Sequence, residues 1–239
     1  MDVNKGTLYL IPSRLGDNPP LEVLPLSIKR IIEQVDHYIV ENEKTARRFI
    51  KRVSSGKNQN ALKIKVLNKY TTPEETLSYL DPCDQGMDMG LISEAGCPAI
   101  ADPGSEIVKI AHHKQIRVIP LVGPSSIFLA LMSSGMNGQS FAFNGYLPID
   151  QNDRKREIKK LEKRSKEFGQ TQIFIETPYR NNQLLNDLIK SLNPMTYLCV
   201  ACDLTLPSEE IYSMSVQDWT QKKSFDFHKR PCIFLLSKE

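Results

Sequence analysis

The residues best suited to chemistry sit in one stretch, residues 90–104, Gly-Leu-Ile-Ser-Glu-Ala-Gly-Cys-Pro-Ala-Ile-Ala-Asp-Pro-Gly. Three apolar or small residues end a buried strand. A polar pair, Ser93-Glu94, follows, then Ala95-Gly96, two prolines and a second glycine. Ser105 stands where a helix would begin and is the expected N-cap. A strand that runs through a glycine- and proline-rich loop into a helix is the usual ligand-carrying edge of a parallel α/β sheet. Glycine lets main chain approach a ligand, and proline stiffens the loop without using N–H groups. A rigid structural connection would use the same residues. Gly123-Pro124-Ser125-Ser126 forms a second tight bend of this kind.

Other residue groups are weaker candidates. Cys199 and Cys202 make a C-x-x-C, but the segment reads as a strand, where residues three apart face opposite ways. No second C-x-x-C completes a zinc site, so these are expected to be packing cysteines, and no metal is expected. His112 and His113 lie near a helix C-terminus, where positive charge is favourable. The densest basic run is Arg154, Lys155, Arg156, Lys159, Lys160, Lys163, Arg164 and Lys166, with a smaller cluster at Arg47, Arg48 and Arg52. Such runs are most often solvated helix faces; clustered on one face they also track a nucleic-acid backbone. The dinucleotide, P-loop and nucleophile-elbow motifs are all missing, which disfavours nucleotide-triphosphate enzymes and serine hydrolases.

The elements that must position these residues alternate. Strands are expected at residues 6–12, 38–40, 62–67, 90–92 and 116–121, with helices at 25–35, around 46–53, from Thr72 to about Leu80, and from Ser105 to about His113. Thr72-Pro73-Glu74-Glu75 has the form of a capping box with proline at the first helical position. This alternation argues for a mostly parallel sheet covered on both faces. In the second half, strands at 141–146, 173–175, 197–201, 209–215 and 232–236 frame helices at 151–168, 184–192 and 216–221. The fold class is therefore α/β with two domains, residues 1–122 and 123–239, and a ligand cleft between them.

Composition sets the limits. The 239 residues can bury a large core, and 40% hydrophobic with 25% charged residues is ordinary for a globular protein. A net charge of +3 does not by itself argue for nucleic acid. No apolar run approaches the ~18 residues that span a bilayer, so no membrane association is expected. Residues 1–5 show no secretory pattern, and five scattered cysteines fit a reducing compartment, so the cytoplasm is the expected location.

With these motifs in hand, the sequence resembles the tetrapyrrole-methylase superfamily of S-adenosylmethionine-dependent methyltransferases. Within it, the similarity is greatest to the bacterial small-subunit rRNA cytidine 2′-O-methyltransferases. Six blocks in order carry the resemblance: residues 6–9 with Pro12, 91–98 with 102–104, 120–126, 143–148, 174–180 and 204–205. The resemblance implies an N-terminal mostly parallel sheet, a C-terminal mixed sheet, S-adenosylmethionine in the cleft between the domains, and a homodimer formed through the second domain. It also implies cofactor contacts at Pro12, Glu94, Ala95, Gly96, Ser125, Ser126, Glu176, Ala201 and Pro231.

The blocks that line the acceptor side in that family depart from its pattern. Pro-Ile-Gly-Asn-Leu is replaced by Pro12-Ser13-Arg14-Leu15-Gly16-Asp17-Asn18, and Glu-Asp-Thr-Arg by Glu41-Asn42-Glu43-Lys44-Thr45. Glu94 stands for an aspartate, and Ala-Arg-Glu-Leu-Thr-Lys becomes residues 201–206, Ala-Cys-Asp-Leu-Thr-Leu. The expected reaction is methyl transfer to a ribose 2′-oxygen of ribosomal RNA, with Glu41, Glu94 and Glu176 as candidate bases. Methylation of a tetrapyrrole or other small molecule is one alternative. A cofactor- and RNA-binding protein without catalysis is the other.

Overall fold

The computed structural model describes residues 4–222 and 225–238. The chain divides into two compact units, Met1–Ser125 and Ser126–Glu239.

The first unit holds β1 (Thr7–Ile11), α1 (Pro20–Val23), α2 (Leu26–Gln34), β2 (His37–Val40), α3 (Glu43–Val53), β3 (Lys63–Val66), α4 (Pro73–Thr76), α5 (Asp81–Asp84), β4 (Met89–Ile92), α6 (Gly104–His113) and β5 (Arg117–Pro120). Its five strands run in the order β3-β2-β4-β1-β5, and every pairing is parallel. Parallel strands must be buried on both faces, because the crossovers between them lay helices there. Alternation along each strand assigns the two layers. Ile11, Tyr38, Val40 and Ile92 pack with Ile28 and Ile32 of α2 and Phe49 and Ile50 of α3. Leu8, Ile39, Met89 and Leu91 pack with Ile107 and Ala111 of α6 on the other side. Gly90 in β4 must lack a side chain, since a Cβ there would lie 2.7 Å from Ile11 Cδ1 and 2.9 Å from the Tyr38 ring.

The second unit holds α7 (Ser126–Ser134), β6 (Phe141–Tyr146), α8 (Gln151–Phe168), β7 (Thr171–Ile175), a 3₁₀ turn (Pro178–Arg180), α9 (Asn181–Ser191), β8 (Tyr197–Cys202), β9 (Glu210–Ser215), α10 (Val216–Gln221) and β10 (Cys232–Ser237). Its sheet is mixed, in the order β6-β7-β10-β8-β9, with only β6 and β7 parallel. Ile158 and Leu161 of α8, Leu184 and Leu188 of α9 and Trp219 of α10 close one face over Phe174, Val200 and Phe234. The α/β class, the parallel first sheet and the mixed second sheet are as the resemblance implied.

Several local expectations change. The capping box at Thr72 forms, with Glu75 N–H bonded to Thr72 Oγ1 and the Glu75 carboxylate returning to the Thr72 N–H. Its helix nevertheless ends at Thr76 rather than near Leu80. Backbone bonds there tighten to the i→i−3 type at Ser78 and Tyr79, and Pro82 could not have continued an α-helix. Ser105 is not the N-cap of α6. That helix starts one residue earlier, at Gly104, and Asp102 Oδ1 accepts its first N–H at 2.7 Å. The short helices α1 and α5 carry no sequence period and were not expected. Cys199 and Cys202 lie along β8, and the cross-strand partner of Cys202 is Cys232 on β10.

Phe174 and Phe234 stack at 6.0 Å in the second unit's core, fully buried. Phe234→Ala is expected to cost that unit about 3–5 kcal/mol, the usual range for truncating a buried phenylalanine. Urea unfolding followed through Trp219, the chain's one tryptophan and part of the same core, reports that loss directly.

Candidate functional site

Because all five strands of the first unit run the same way, their C-terminal ends share one edge, where ligands bind in open α/β sheets. The loops leaving β1, β2, β4 and β5 meet there. Ser13 N–H donates to Gly96 O at 2.9 Å, which ties the loop after β1 to the loop after β4. Ser93 Oγ donates to the same carbonyl at 2.9 Å. The bend after β5 is pressed against the exit of β1: a Cβ on Gly123 would lie 2.2 Å from Pro12 Cβ. Only glycine permits that approach. Pro12, Gly96 and Gly123 are thus packed as one unit of main chain.

The loop after β4 is held in an unusual backbone path. Gly96 has φ +73°, and Ala99 and Ala101, at φ +65° and +57°, also occupy the left-handed region. For residues with a Cβ this costs on the order of 1–3 kcal/mol each, and such strain clusters at functional loops. Asp102 offsets it by accepting two main-chain bonds on Oδ1, from Ala99 N at 2.8 Å and Gly104 N at 2.7 Å.

A pocket of about 220 Å³ opens along this edge, lined by residues 13–17, 45, 46, 48, 49 and 92–94. Asn42 begins its α3 wall, capping the helix with bonds from Lys44 N at 3.0 Å and Thr45 N at 3.2 Å. Glu94 lines the pocket and accepts from Thr45 Oγ1 at 2.6 Å. Glu41 lies behind Glu94 and accepts its N–H at 3.4 Å. Burial pushes the Glu41 carboxyl above its ordinary value; the Glu94 N–H pulls it partly back, and the negative charges of Asp102 and Glu94 push it up again. Ser13 Oγ, buried at the pocket wall, has no hydrogen-bond partner.

The remaining expected contacts lie in the second unit, on one edge of its sheet. Glu176 leaves β7 where Ile175 pairs with Ile233, Ala201 pairs with that same Ile233 from the other side, and Pro231 precedes β10. Glu176 is buried, and its Oε1 accepts from Thr177 N at 2.6 Å and from Arg180 at 2.6 and 3.1 Å. Arg230 braces the loop after β8 through Asp203 and Glu210, both at 2.8 Å. Thr205 Oγ1 in that loop and Asn181 Oδ1 beside Arg230 are buried without partners. Within each unit taken by itself, unpartnered buried polar atoms next to the expected contact residues fit contact with a polar ligand such as S-adenosylmethionine, since leaving them unsatisfied is costly.

A family model described as Tetrapyrrole (Corrin/Porphyrin) Methylases matches residues 19–219. This chain belongs to the tetrapyrrole methylases. They are methyltransferases that use S-adenosylmethionine, and the fit described above concerns that cofactor. Among its relatives is a ribosomal RNA small subunit methyltransferase I of Leptospira borgpetersenii, 33% identical over 86% of this chain and 78% of that protein. Proteins of the same name from Halalkalibacterium halodurans (28%; 90% of this chain, 70% of that one) and Escherichia coli O157:H7 (27%; 90% and 71%) are also similar. Among solved structures, the methyltransferase CobJ shares the fold, with a TM-score of 0.63 at 13% identity over 98% of this chain and 94% of that one. The cobalt precorrin-4 methyltransferase CbiF does so with a TM-score of 0.60 at 16% identity, over 97% and 94%.

Sequence reasoning found both Gly-Pro bends and the three carboxylates. It named Arg48 and Arg52 as part of a basic cluster but missed that Arg14 and Asp17 join them, because those two stand in an irregular loop. It also overcounted free cations. Arg154 is almost fully buried, bonded to Asp187 at 2.6 and 2.9 Å, and Arg47 is engaged by Glu43 and Gln59 O. Among the described residues there is no cluster able to hold a metal, and no helix is long and apolar enough to cross a membrane.

The raised Glu41 gives a pH test. Its charged form is disfavoured in the folded chain, so wild-type stability falls as pH rises from the ordinary glutamate range through the raised value. Glu41→Gln, which still accepts the Glu94 N–H, is expected to melt at a higher temperature than wild type at pH 7. The difference closes as pH falls to the ordinary glutamate range. Paired thermal melts across pH 4–8 check it.

Proposed function

We propose that this chain transfers the methyl group of S-adenosylmethionine to a ribose 2′-oxygen of small-subunit ribosomal RNA. The observation that carries the reading is Glu94, which lines a small pocket at the C-terminal edge of the first sheet, with the Glu41 carboxylate behind it on the Glu94 N–H. Further support comes from the relatives, whose name is ribosomal RNA small subunit methyltransferase I. The sulfonium cofactor supplies an already activated methyl group. The residues of the chain therefore need only to place the nucleophile, exclude water and take a proton.

We infer that Pro12, Glu94, Ala95, Gly96, Ser125, Ser126, Glu176, Ala201 and Pro231 hold the cofactor, mainly through main-chain atoms. Glu41 is the proton acceptor of choice. A carboxyl raised toward the working pH combines a usable fraction of base with enough basicity to take a hydroxyl proton. Glu176 is a weaker candidate, because Oε1 is already committed to Arg180. In this reading the first domain carries the acceptor and cofactor loops and the second the dimer contacts. A ribosomal substrate and unpaired cysteines accord with the cytoplasm.

Self-association finds support in α7. This helix is apolar nearly all round; Ala130 and Leu131 are buried, while Phe128 and Met132 are 56% and 79% exposed. A helix without a polar face is normally covered on every side. The occupant proposed for the open side is a second copy of this chain.

Two measurements test the reading. A ribose-methylation map of small-subunit rRNA, from cells with and without this protein, is expected to differ at one or more sites; an unchanged map removes the proposal. For the dimer, light scattering on wild type is expected to give twice the 27.2 kDa chain mass, and the Phe128→Asp/Met132→Asp double variant one chain mass.

A further inference from the structure

The pocket at the end of the first sheet has two chemically different ends, and neither the family model nor the relatives' names assign them. One end is acidic: Glu94, fixed by Thr45 near the start of α3. The other is basic and is built around a single carboxylate. Asp17 Oδ1 accepts from Arg14 Nη1 at 3.1 Å and from Arg52 Nη1. These two guanidinium groups, Arg52 first, hold the Asp17 carboxyl below its usual range. Thr45 and Arg52 are seven residues apart on α3, so the two ends are separated by about 10 Å along the helix axis.

Four features mark the basic end as a place for an exchangeable anion. The Asp17 side chain is 78% exposed, and exposed ion pairs contribute little to stability, so this one is readily displaced. The Arg14 side chain, by contrast, is 13% exposed and is anchored by Asn18 O, so its guanidinium stays in place when Asp17 leaves. Arg48, which also lines the pocket, is exposed and has no hydrogen-bond or ion-pair partner among the described residues. Ser13 Oγ, 5% exposed and unpartnered on the same wall, is an independent sign of a missing polar ligand.

Size narrows the ligand. About 220 Å³ is below the ~300–1,000 Å³ usual for a whole small-molecule ligand. One unit of a longer chain suits this pocket better than a macrocycle does. A ribonucleotide also matches its polarity, with an anionic phosphodiester for the arginines and ribose hydroxyls to donate to a carboxylate.

We propose that this pocket is a ribonucleotide subsite in which Arg14, Arg48 and Arg52 take the phosphodiester in place of Asp17, while Glu94 accepts from the ribose. Asp17 is then an internal competitor: it keeps the arginines ordered and charge-balanced until RNA arrives. The inference deepens the rRNA reading and rests on it. It also adds an RNA contact on α3 to the basic run of α8. On α8, Arg154 is buried and Arg156, Lys159, Lys160 and Lys163 pair with Asp153, Glu162, Glu157 and Glu167 of the same helix, while Lys155, Arg164 and Lys166 are exposed with no partner among the described residues.

The test is fluorescence anisotropy with a labelled single-stranded 12-mer RNA across a KCl series. S-adenosylmethionine calorimetry and melting curves on each variant report folding. Arg48→Glu/Arg52→Glu is expected to weaken RNA binding by about tenfold or more at low salt. It should lower the slope of log affinity against log salt by about 0.7, the one phosphate contact of the subsite. Asp17→Asn, which removes the competitor and keeps the arginines, is expected to bind the RNA severalfold more tightly. Lys159→Glu/Lys160→Glu/Lys163→Glu should leave the slope near wild type. The proposal is overturned if the arginine variant keeps wild-type affinity and slope, or if Asp17→Asn binds no more tightly. Those results leave the rRNA reading standing provided wild type binds the RNA and methylates rRNA. A wild type that does neither removes both.

Discussion

The contact on which the rest of the first unit's edge depends is made by main chain: Ser13 N–H on Gly96 O, with Pro12 pressed against Gly123. It joins the loops after three strands, two of them far apart in sequence, into one surface. Such a joint needs few specific side chains. It needs a proline with a fixed φ on one side and a glycine without a Cβ on the other. Because the sheet is parallel throughout, every loop of this edge emerges on the same side. The left-handed Ala99 and Ala101 are tolerated because Asp102 and the joint hold that loop from both ends.

Charge is distributed around this joint in a consistent way. Carboxylates gather behind it, where Glu41 is raised by burial and by its acidic neighbours. Guanidinium groups gather in front of it, where Asp17 lies between Arg14 and Arg52. A half-buried proton acceptor thus stands behind the joint and the more exposed Arg48 and Arg52 in front of it. That arrangement suits a reaction in which an anionic polymer must be held while one of its hydroxyl groups loses a proton. In the second unit the same division recurs in simpler form: Arg180 and Arg230 neutralise buried acids and so fix the loops after β7 and β8.

Much of this was legible in the chain. Short apolar runs and helical hydrophobic patterns located the ten strands found among the described residues and most of the longer helices, since each pattern is set by which face must be buried. Gly-Pro bends marked the C-terminal edge of the first sheet, because few residues tolerate tight approach of backbone to backbone. The errors share a cause. Ser105 has the right residue type for a cap, but Asp102 reaches the same N–H from a loop whose path depends on tertiary contacts. The α4 signal was correct at its start and silent about its end, where hydrogen bonds change type. Basic residues on α8 were counted from the sequence, yet Arg154 is taken inward by Asp187, a partner 33 residues away on α9.

By itself, then, the sequence determined the α/β class, the order of the elements and the two glycine- and proline-containing bends at the C-terminal edge of the first sheet. These follow from local propensity and burial, which act over a few residues at a time. Tertiary structure alone decided which charges are free. Arg14, Asp17 and Arg52 meet because the loop after β1 and the helix after β2 lie side by side at one sheet edge, though Asp17 and Arg52 are 35 residues apart. Glu41 is raised first by burial and then by Asp102 and Glu94, which the pairing of β2 with β4 brings beside it. Strand order sets these distances, and electrostatic energy depends on distance and burial rather than on position along the chain.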